Sequence, residues 1–166
     1  PALLTQQKKS GRKLMLTTSK PEIFARQILD YLNLSHYFSF IGGATLGGKR
    51  STKTDVIQYV LKSNKIENPS DVIMIGDRKH DIEGAQTNDM QSIGALYGYG
   101  SEKELYEAGA NIIVPSVTHL QNLLNTIIYG SYHLYANKTK IQLIPTSNSY
   151  RELIPSLSLQ IVRIII

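Results

Sequence analysis

The run Val72-Ile73-Met74-Ile75-Gly76-Asp77-Arg78-Lys79-His80-Asp81 constrains the chain more than any other stretch. Four consecutive apolar residues, without the alternation of a half-exposed strand, predict a strand covered on both faces, as in a parallel sheet flanked by helices. Gly76 lets the backbone turn, and an amphipathic run restarts from Asp81 as a helix. Two acidic residues four apart therefore stand where a buried strand ends. In open α/β sheets, ligands bind outside such carboxyl ends.

The rest of the first 125 residues repeats this rhythm. Ala2 to Lys9 reads as a short helix ended by Gly11, and Lys13 to Thr17 as a strand. Pro21 opens a second helix whose Ile23, Phe24, Ile28, Leu29 and Leu32 recur at helical spacing. Phe38 to Ile41 is a strand before Gly42-Gly43, and the glycine-containing loop through Arg50 leads to a helix over Thr52 to Ser63. After the strand at Val72 come a helix from Asp81 to about Asn88, a strand from Ser92 to Leu96 and the turn Tyr97-Gly98-Tyr99-Gly100. Ser101 with Glu104 has capping-box spacing for a helix through Ala108, Asn111 to Val114 is a strand, and Ser116 to about Asn125 a helix. Strands alternating with helices predict a doubly wound, mostly parallel α/β sheet.

Composition narrows the partners. With 42% hydrophobic residues, no tryptophan and three phenylalanines, the core must rest on Ile, Leu, Val and some of the ten tyrosines. The absence of cysteine excludes disulfides, thiolate metal sites and a cysteine nucleophile, and fits the cytoplasmic location expected here. No opening segment resembles a signal peptide, and no apolar run approaches the ~20 residues needed to span a bilayer; no membrane association is expected. Residues 1 to 125 hold 14 Lys and Arg against 12 Asp and Glu, so that part is only +2 and the remaining +3 of the +5 net charge lies in the tail. The one dense basic run, Lys8, Lys9, Arg12 and Lys13, reads as a solvated helix end favourable to the dipole. Without interleaved aromatics it does not predict nucleic-acid binding.

Beyond about Thr126 the texture changes. Acidic residues almost vanish, Tyr129, Tyr132, Tyr135 and Tyr150 crowd in, and the chain closes on an apolar, β-prone stretch. Such a stretch is an aggregation hazard unless paired or covered. Residues 126–166 are therefore set apart from a core over residues 1–125, as a small β appendage, a tail without fixed structure, or the product of a shifted reading frame.

Three features converge on one sheet edge. Thr17-Thr18-Ser19-Lys20 follows the first strand, where hydroxyls and backbone N–H groups at a helix N-terminus can hold phosphate, although such residues also serve simply as caps. Lys53 opens the third helix, a charge that can neutralise phosphate or merely be solvated. Asp77 with Asp81 can take a hard cation such as Mg²⁺, or serve turn and cap.

Together these residues resemble the haloacid dehalogenase superfamily of phosphohydrolases, whose later motifs are a Thr or Ser after a strand, a Lys, and Gly-Asp-x-x-x-Asp. The resemblance covers about residues 1 to 125. It is closest to the phosphoglycolate phosphatase-like branch, including 5'-nucleotidase-like members, through Thr18-Ser19-Lys20-Pro21, Ile41-Gly42-Gly43, Arg50-Ser51-Thr52-Lys53, Gly76-Asp77-Arg78-Lys79-His80-Asp81 and Leu96-Tyr97-Gly98-Tyr99-Gly100. It implies a Mg²⁺-dependent phosphatase acting on a small phosphorylated metabolite through an aspartyl-phosphate. Thr18, or less favourably Thr17, would bond the phosphoryl group, and Ser19 and Lys20 would shape the site. Lys53 would stabilise phosphoryl charge, Asp77 would ligate Mg²⁺, and Asp81 would support the metal or its neighbours. Arg78 and His80 accompany the motif.

One departure from the pattern matters most. The family's first motif is a strand ending in Asp-x-Asp-x-Thr, and no Asp-x-Asp occurs in these 166 residues. Covalent catalysis needs that carboxylate. The resemblance therefore implies a Rossmann-like fold lacking its first central strand and its cap, inactive by itself. The gap between the strands at Leu14 and Val72 would be filled by an N-terminal segment in trans, a homodimer partner, or the apolar end near Leu157 to Ile166. A non-catalytic interaction or regulatory module that keeps the fold is the alternative reading.

Overall fold

The computed structural model describes residues 1–128, 132–137, 140–145 and 160–162. Helix α1 (Ala2–Lys9) leads into β1 (Leu14–Pro21). Then α2 (Glu22–Tyr31), β2 (Phe40–Ala44), α3 (Lys53–Ser63), β3 (Val72–Gly76), α4 (Lys79–Thr87), β4 (Gln91–Ala95), α5 (Glu102–Glu107), β5 (Ile112–Val114) and α6 (Val117–Ile128) follow in alternation. Beyond them come β6 (Tyr132–Asn137), β7 (Lys140–Pro145) and β8 (Gln160–Val162). Strands β6 and β7 pair antiparallel, apart from the main sheet. The tail features at Tyr129, Tyr150 and residues 163–166 lie outside the described residues.

The main sheet has the order β2-β1-β8-β3-β4-β5, and each of its pairings is parallel. Every strand from β1 to β5 is wound in sequence order around a central position, and β8 occupies that position. Ile161 lies opposite Leu14 on one side and Ile73 on the other, and Val162 opposite Met15 and Met74. The expected gap is thus filled from within the chain by part of its apolar end. The physical reason is the burial of both walls. Backbone groups of β1 and β3 facing the gap have no water to bond, and each unmade bond costs about 1–3 kcal/mol.

Alternation along β1 and β3 builds two cores, one on each face. Leu14, Leu16, Ile73 and Ile75 join Leu3 and Leu4 of α1, Ala25 and Leu29 of α2, and Leu120 and Leu124 of α6. Met15, Val72 and Met74 point the other way, onto Ile57, Val60 and Leu61 of α3 and Ala85 of α4. This is why β3 reads as an unbroken apolar run: it has no solvent face. Burying each of its large side chains contributes roughly 1.5–3 kcal/mol.

Several local expectations shift. Thr18 to Lys20 continue β1 rather than forming a capping loop between strand and helix, because pairing with β2 runs on through Thr18 opposite Gly43 and, after an irregularity, Pro21 opposite Ala44. Helix α2 begins only at Glu22, with Pro21 as its N-cap at φ −52°. Helix α4 starts two residues earlier than expected, at Lys79, which places Asp81 inside its first turn. In the basic run, Arg12 is buried rather than solvated. Its guanidinium donates to Gln7 Oε1 and, at 3.0 Å, to the Leu124 carbonyl, tying α1 to the end of α6. Burial pulls its pKa down to about 10.

Two sites in the fold carry measurable consequences. Gly76 ends β3 with its α-carbon against the Asp81 side chain, so a methyl group there would overlap Asp81 Cβ. Gly76→Ala should destabilise the domain by about 1–3 kcal/mol in urea unfolding. Tyr97, after β4, packs on the first core with its hydroxyl buried and unbonded among the described residues. Burial, and then the charge of Asp77, push its pKa up to about 12. The folded chain then keeps a proton that an unfolded tyrosine sheds above about 10, so stability should fall as pH rises from about 10 to about 12. Tyr97→Phe should remove that loss and leave the neutral-pH stability unchanged or raised by about 1 kcal/mol, as read by denaturation across the alkaline range.

Candidate functional site

The carboxyl ends of β1 and β3 and the first turns of α3 and α4 meet at one edge of the sheet. Thr52 caps α3 with a full capping box: its Oγ1 accepts from Asp55 N at 3.1 Å, and its own N–H donates to Asp55 Oδ2 at 3.1 Å. Hydrogen bonding to the Asp55 carboxyl from the Thr52 hydroxyl, and then from the Thr52 backbone N–H, holds it below its ordinary pKa. The cap fixes the first helical residue, Lys53, which points inward and is 7% exposed.

Lys53 Nζ lies 3.0 Å from Asp81 Oδ1 and donates to the Thr17 carbonyl at 3.3 Å. The other Asp81 oxygen accepts from the backbone N–H groups of Asp77 and Arg78, both at 3.2 Å. One carboxylate thus closes the turn after β3 and anchors a cation from α3. Both partners are almost wholly buried, with side-chain exposures of 6% and 1%. Removing either would strand the other charge, a loss of about 3–5 kcal/mol for buried pairs. Gly84 lets the two helices come this close, since a Cβ there would stand 2.8 Å from Ile57 Cδ1 and 3.0 Å from Lys53 Cγ.

Asp77 is held from a different direction. Its Oδ2 accepts from Tyr99 N at 2.9 Å, and the loop after β4 folds directly over it. A side chain at Gly98 would overlap the Asp77 side chain, and one at Gly100 would overlap its carbonyl. The glycine spacing in Tyr97-Gly98-Tyr99-Gly100 is therefore a clearance for Asp77, a role that sequence reading did not assign.

The remaining sequence-predicted residues divide. Thr18 stands beside the edge with its Oγ1 accepting from Lys20 N at 3.2 Å, while Ser19 and Lys20 are exposed. Thr17 is fully buried on the α3 side, and its hydroxyl has no hydrogen-bond partner among the described residues. Arg78 turns outward to Glu104, Nε to Oε1 at 2.8 Å, and His80 Nδ1 lies 3.4 Å from the exposed Glu83. Glu104 also accepts from Lys79 N at 2.9 Å. The expected capping box at α5 is therefore half made: Ser101 Oγ accepts from Glu104 N at 3.1 Å, but the Glu104 carboxylate serves α4 instead.

Sequence reading also missed the support for Lys53. Glu22 Oε2 pairs with Arg50 Nη2 at 3.1 Å, Arg50 Nε donates to the Gly43 carbonyl at 2.7 Å, and its guanidinium lies 3.6 Å above the Tyr59 ring. This clamp fastens the loop that delivers Lys53. Its partners lie far apart in sequence, so no local spacing announces them.

The described residues do not by themselves make a magnesium site. No group of three or more His, Asp or Glu converges among them, and Asp81 is committed to Lys53 and the backbone. Asp77 is a carboxylate of the type a hard cation takes, and its Oδ2 accepts from Tyr99 N.

A strand-end hydroxyl, a buried lysine and an Asp-x-x-x-Asp turn thus come together on the edge where such sheets bind ligands, and known proteins resemble the chain over these elements. The family model described as haloacid dehalogenase-like hydrolase matches residues 1–95. A 5'-nucleotidase of Pseudomonas aeruginosa is 40% identical over 105 residues, 63% of this chain and 47% of the relative. A phosphoglycolate phosphatase of Aquifex aeolicus is 38% identical over 102 residues, 60% of this chain and 46% of the relative. The crystal structure of a predicted phosphatase from Clostridium acetobutylicum superimposes with a TM-score of 0.73 at 48% identity, covering 75% of this chain and 57% of that one. The chain spans about half the length of the curated relatives it matches. With the matching model covering the elements that build this edge, the chain belongs to the haloacid dehalogenase-like hydrolase family.

Proposed function

We propose that the chain is part of a phosphomonoesterase that hydrolyses a small phosphorylated metabolite, contributing the charge-stabilising half of its active site. The observation that supports this most is the buried Lys53–Asp81 pair beside Asp77, in a chain whose relatives include a 5'-nucleotidase and a phosphoglycolate phosphatase. A cation held from two sides needs little reorganisation when negative charge builds on phosphoryl oxygens, which is where electrostatic preorganisation contributes most.

In this reading Lys53 stabilises the transferring phosphoryl group, and Asp81 is its positioning partner. Thr18 bonds a phosphoryl oxygen, Ser19 and Lys20 shape the mouth, and Asp77 supplies a carboxylate to the Mg²⁺ that the whole enzyme binds. The nucleophile of the aspartyl-phosphate route comes from outside these residues, since they contain no Asp-x-Asp. The same observation favours a second reading, a non-catalytic module that keeps the fold. A buried lysine–aspartate pair is not the cheapest way to stabilise such a module, because apolar replacements of similar volume are often at least as stable.

The chain alone should hydrolyse p-nitrophenyl phosphate no faster than buffer; turnover above that rate would overturn its predicted inactivity. In a full-length relative carrying the same motifs, replacing the lysine by alanine or the first aspartate of Asp-x-x-x-Asp by asparagine should lower kcat by about 10²–10³. An unchanged kcat in either variant would sink the roles given to Lys53 and Asp77.

A further inference from the structure

The glycines of the turn Tyr97-Gly98-Tyr99-Gly100 account for only part of it. Residue 99 serves the fold through its backbone, whose N–H donates to Asp77 Oδ2 at 2.9 Å. Gly98 and Gly100 pack against Asp77 before and after it, so the backbone at this point is fixed to the site. Any residue except proline supplies that N–H. The fold therefore asks nothing of the side chain at position 99, yet that side chain is a tyrosine, and the residue is 90% exposed.

Place separates this ring from the other tyrosines of residues 1–128. Tyr97 packs on the first core, Tyr59 lies under the Arg50 guanidinium, and the Tyr37 hydroxyl is 3.0 Å from Thr5 Oγ1. Tyr31 and Tyr106 are also open to water, but they stand at the far ends of α2 and α5, a helix length from the carboxyl edge where those helices begin. Tyr99 alone of the six is both exposed and carried on that edge. A phosphate held there by Thr18 and Lys53 has packed core beneath it, so the alcohol it esterifies extends away from the sheet, on the side where the loop over Asp77 lies.

We propose that Tyr99 is a specificity-determining residue, and that the substrate is a phosphate monoester whose alcohol carries a planar aromatic ring, as a nucleoside does. This rests on the phosphatase reading above. The Tyr99 ring stacks on the ring of the substrate while the phosphate occupies the edge at Thr18 and Lys53. Such stacking requires a π-face but tolerates whichever base presents it, so it separates aromatic esters from plain sugar phosphates and not one base from another. The bond from Tyr99 N to Asp77 keeps the stacking ring at a set place relative to the reacting end of the substrate.

The test is binding to the full chain in magnesium-containing buffer, with adenosine 5'-monophosphate, ribose 5'-phosphate and inorganic phosphate as probes and the amide NMR shifts of Tyr99 and Gly100 as readout. Adenosine monophosphate should bind about fivefold or more tightly than ribose phosphate, the lower end of what one base–aromatic stack gives. Tyr99→Ala should remove that difference by weakening adenosine monophosphate alone. Tyr99→Phe should keep it, because stacking uses the ring and not the hydroxyl, and Tyr31→Ala should change neither affinity. The ring is exposed and the bond to Asp77 comes from the backbone, so these variants should unfold in urea at the parent midpoint. Equal affinity for the two esters in the parent chain, a difference that survives Tyr99→Ala, or no binding of either ester would overturn the proposal. Equal binding that inorganic phosphate displaces would do so while leaving the phosphatase reading in place; binding of adenosine monophosphate that inorganic phosphate cannot displace would overturn both.

Discussion

Backbone hydrogen bonding at the centre of the sheet governs this molecule. β1 and β3 are covered on both faces, so neither can leave its inner edge to water, and a strand must lie between them. The winding of β1 to β5 leaves that place open, and β8 takes it from far along the sequence. Everything at the functional edge depends on this closure. The distance between the ends of β1 and β3 sets whether Lys53 can reach the Thr17 carbonyl while remaining paired with Asp81.

The edge itself is organised by buried charge rather than by exposed groups. Lys53 and Asp81 neutralise one another, and the second Asp81 oxygen is satisfied by two backbone donors, so the pair is sustained inside the protein. Asp77 joins that pair through its backbone N–H, which donates to Asp81, while its carboxylate is held by the loop over it. Glycines at 76, 84, 98 and 100 are the clearances that make these approaches possible, each because a Cβ would meet a neighbour. Such packing needs no large side chains but tolerates no added ones.

Much of this was legible in the sequence, for identifiable reasons. The unbroken apolar run at Val72 announced a strand buried on both faces, and the apolar face of Val56, Ile57, Val60 and Leu61 announced the helix over Thr52 to Ser63. The turn Asp77 to Asp81 was readable because its partners are four residues apart. The fate of Thr18 to Lys20 was not, since pairing with β2, a long-range contact, extended β1 through residues that resemble a helix cap. Arg12 looked solvated because nothing near it in sequence shows that Leu124 would accept its hydrogen bond. The Glu22–Arg50–Tyr59 clamp was missed for the same reason.

The sequence by itself determined the doubly wound α/β class, the order of its elements, the family resemblance and which residue types stand at the strand ends. These follow from periodicity, capping and short motifs, all local in the chain. Tertiary structure alone decided that β8 fills the centre, that Asp81 faces Lys53, and that the Gly98 loop closes over Asp77. Each joins residues more than twenty positions apart, brought together by burial and by the need to satisfy backbone and charge inside it, and no local pattern encodes such a pairing.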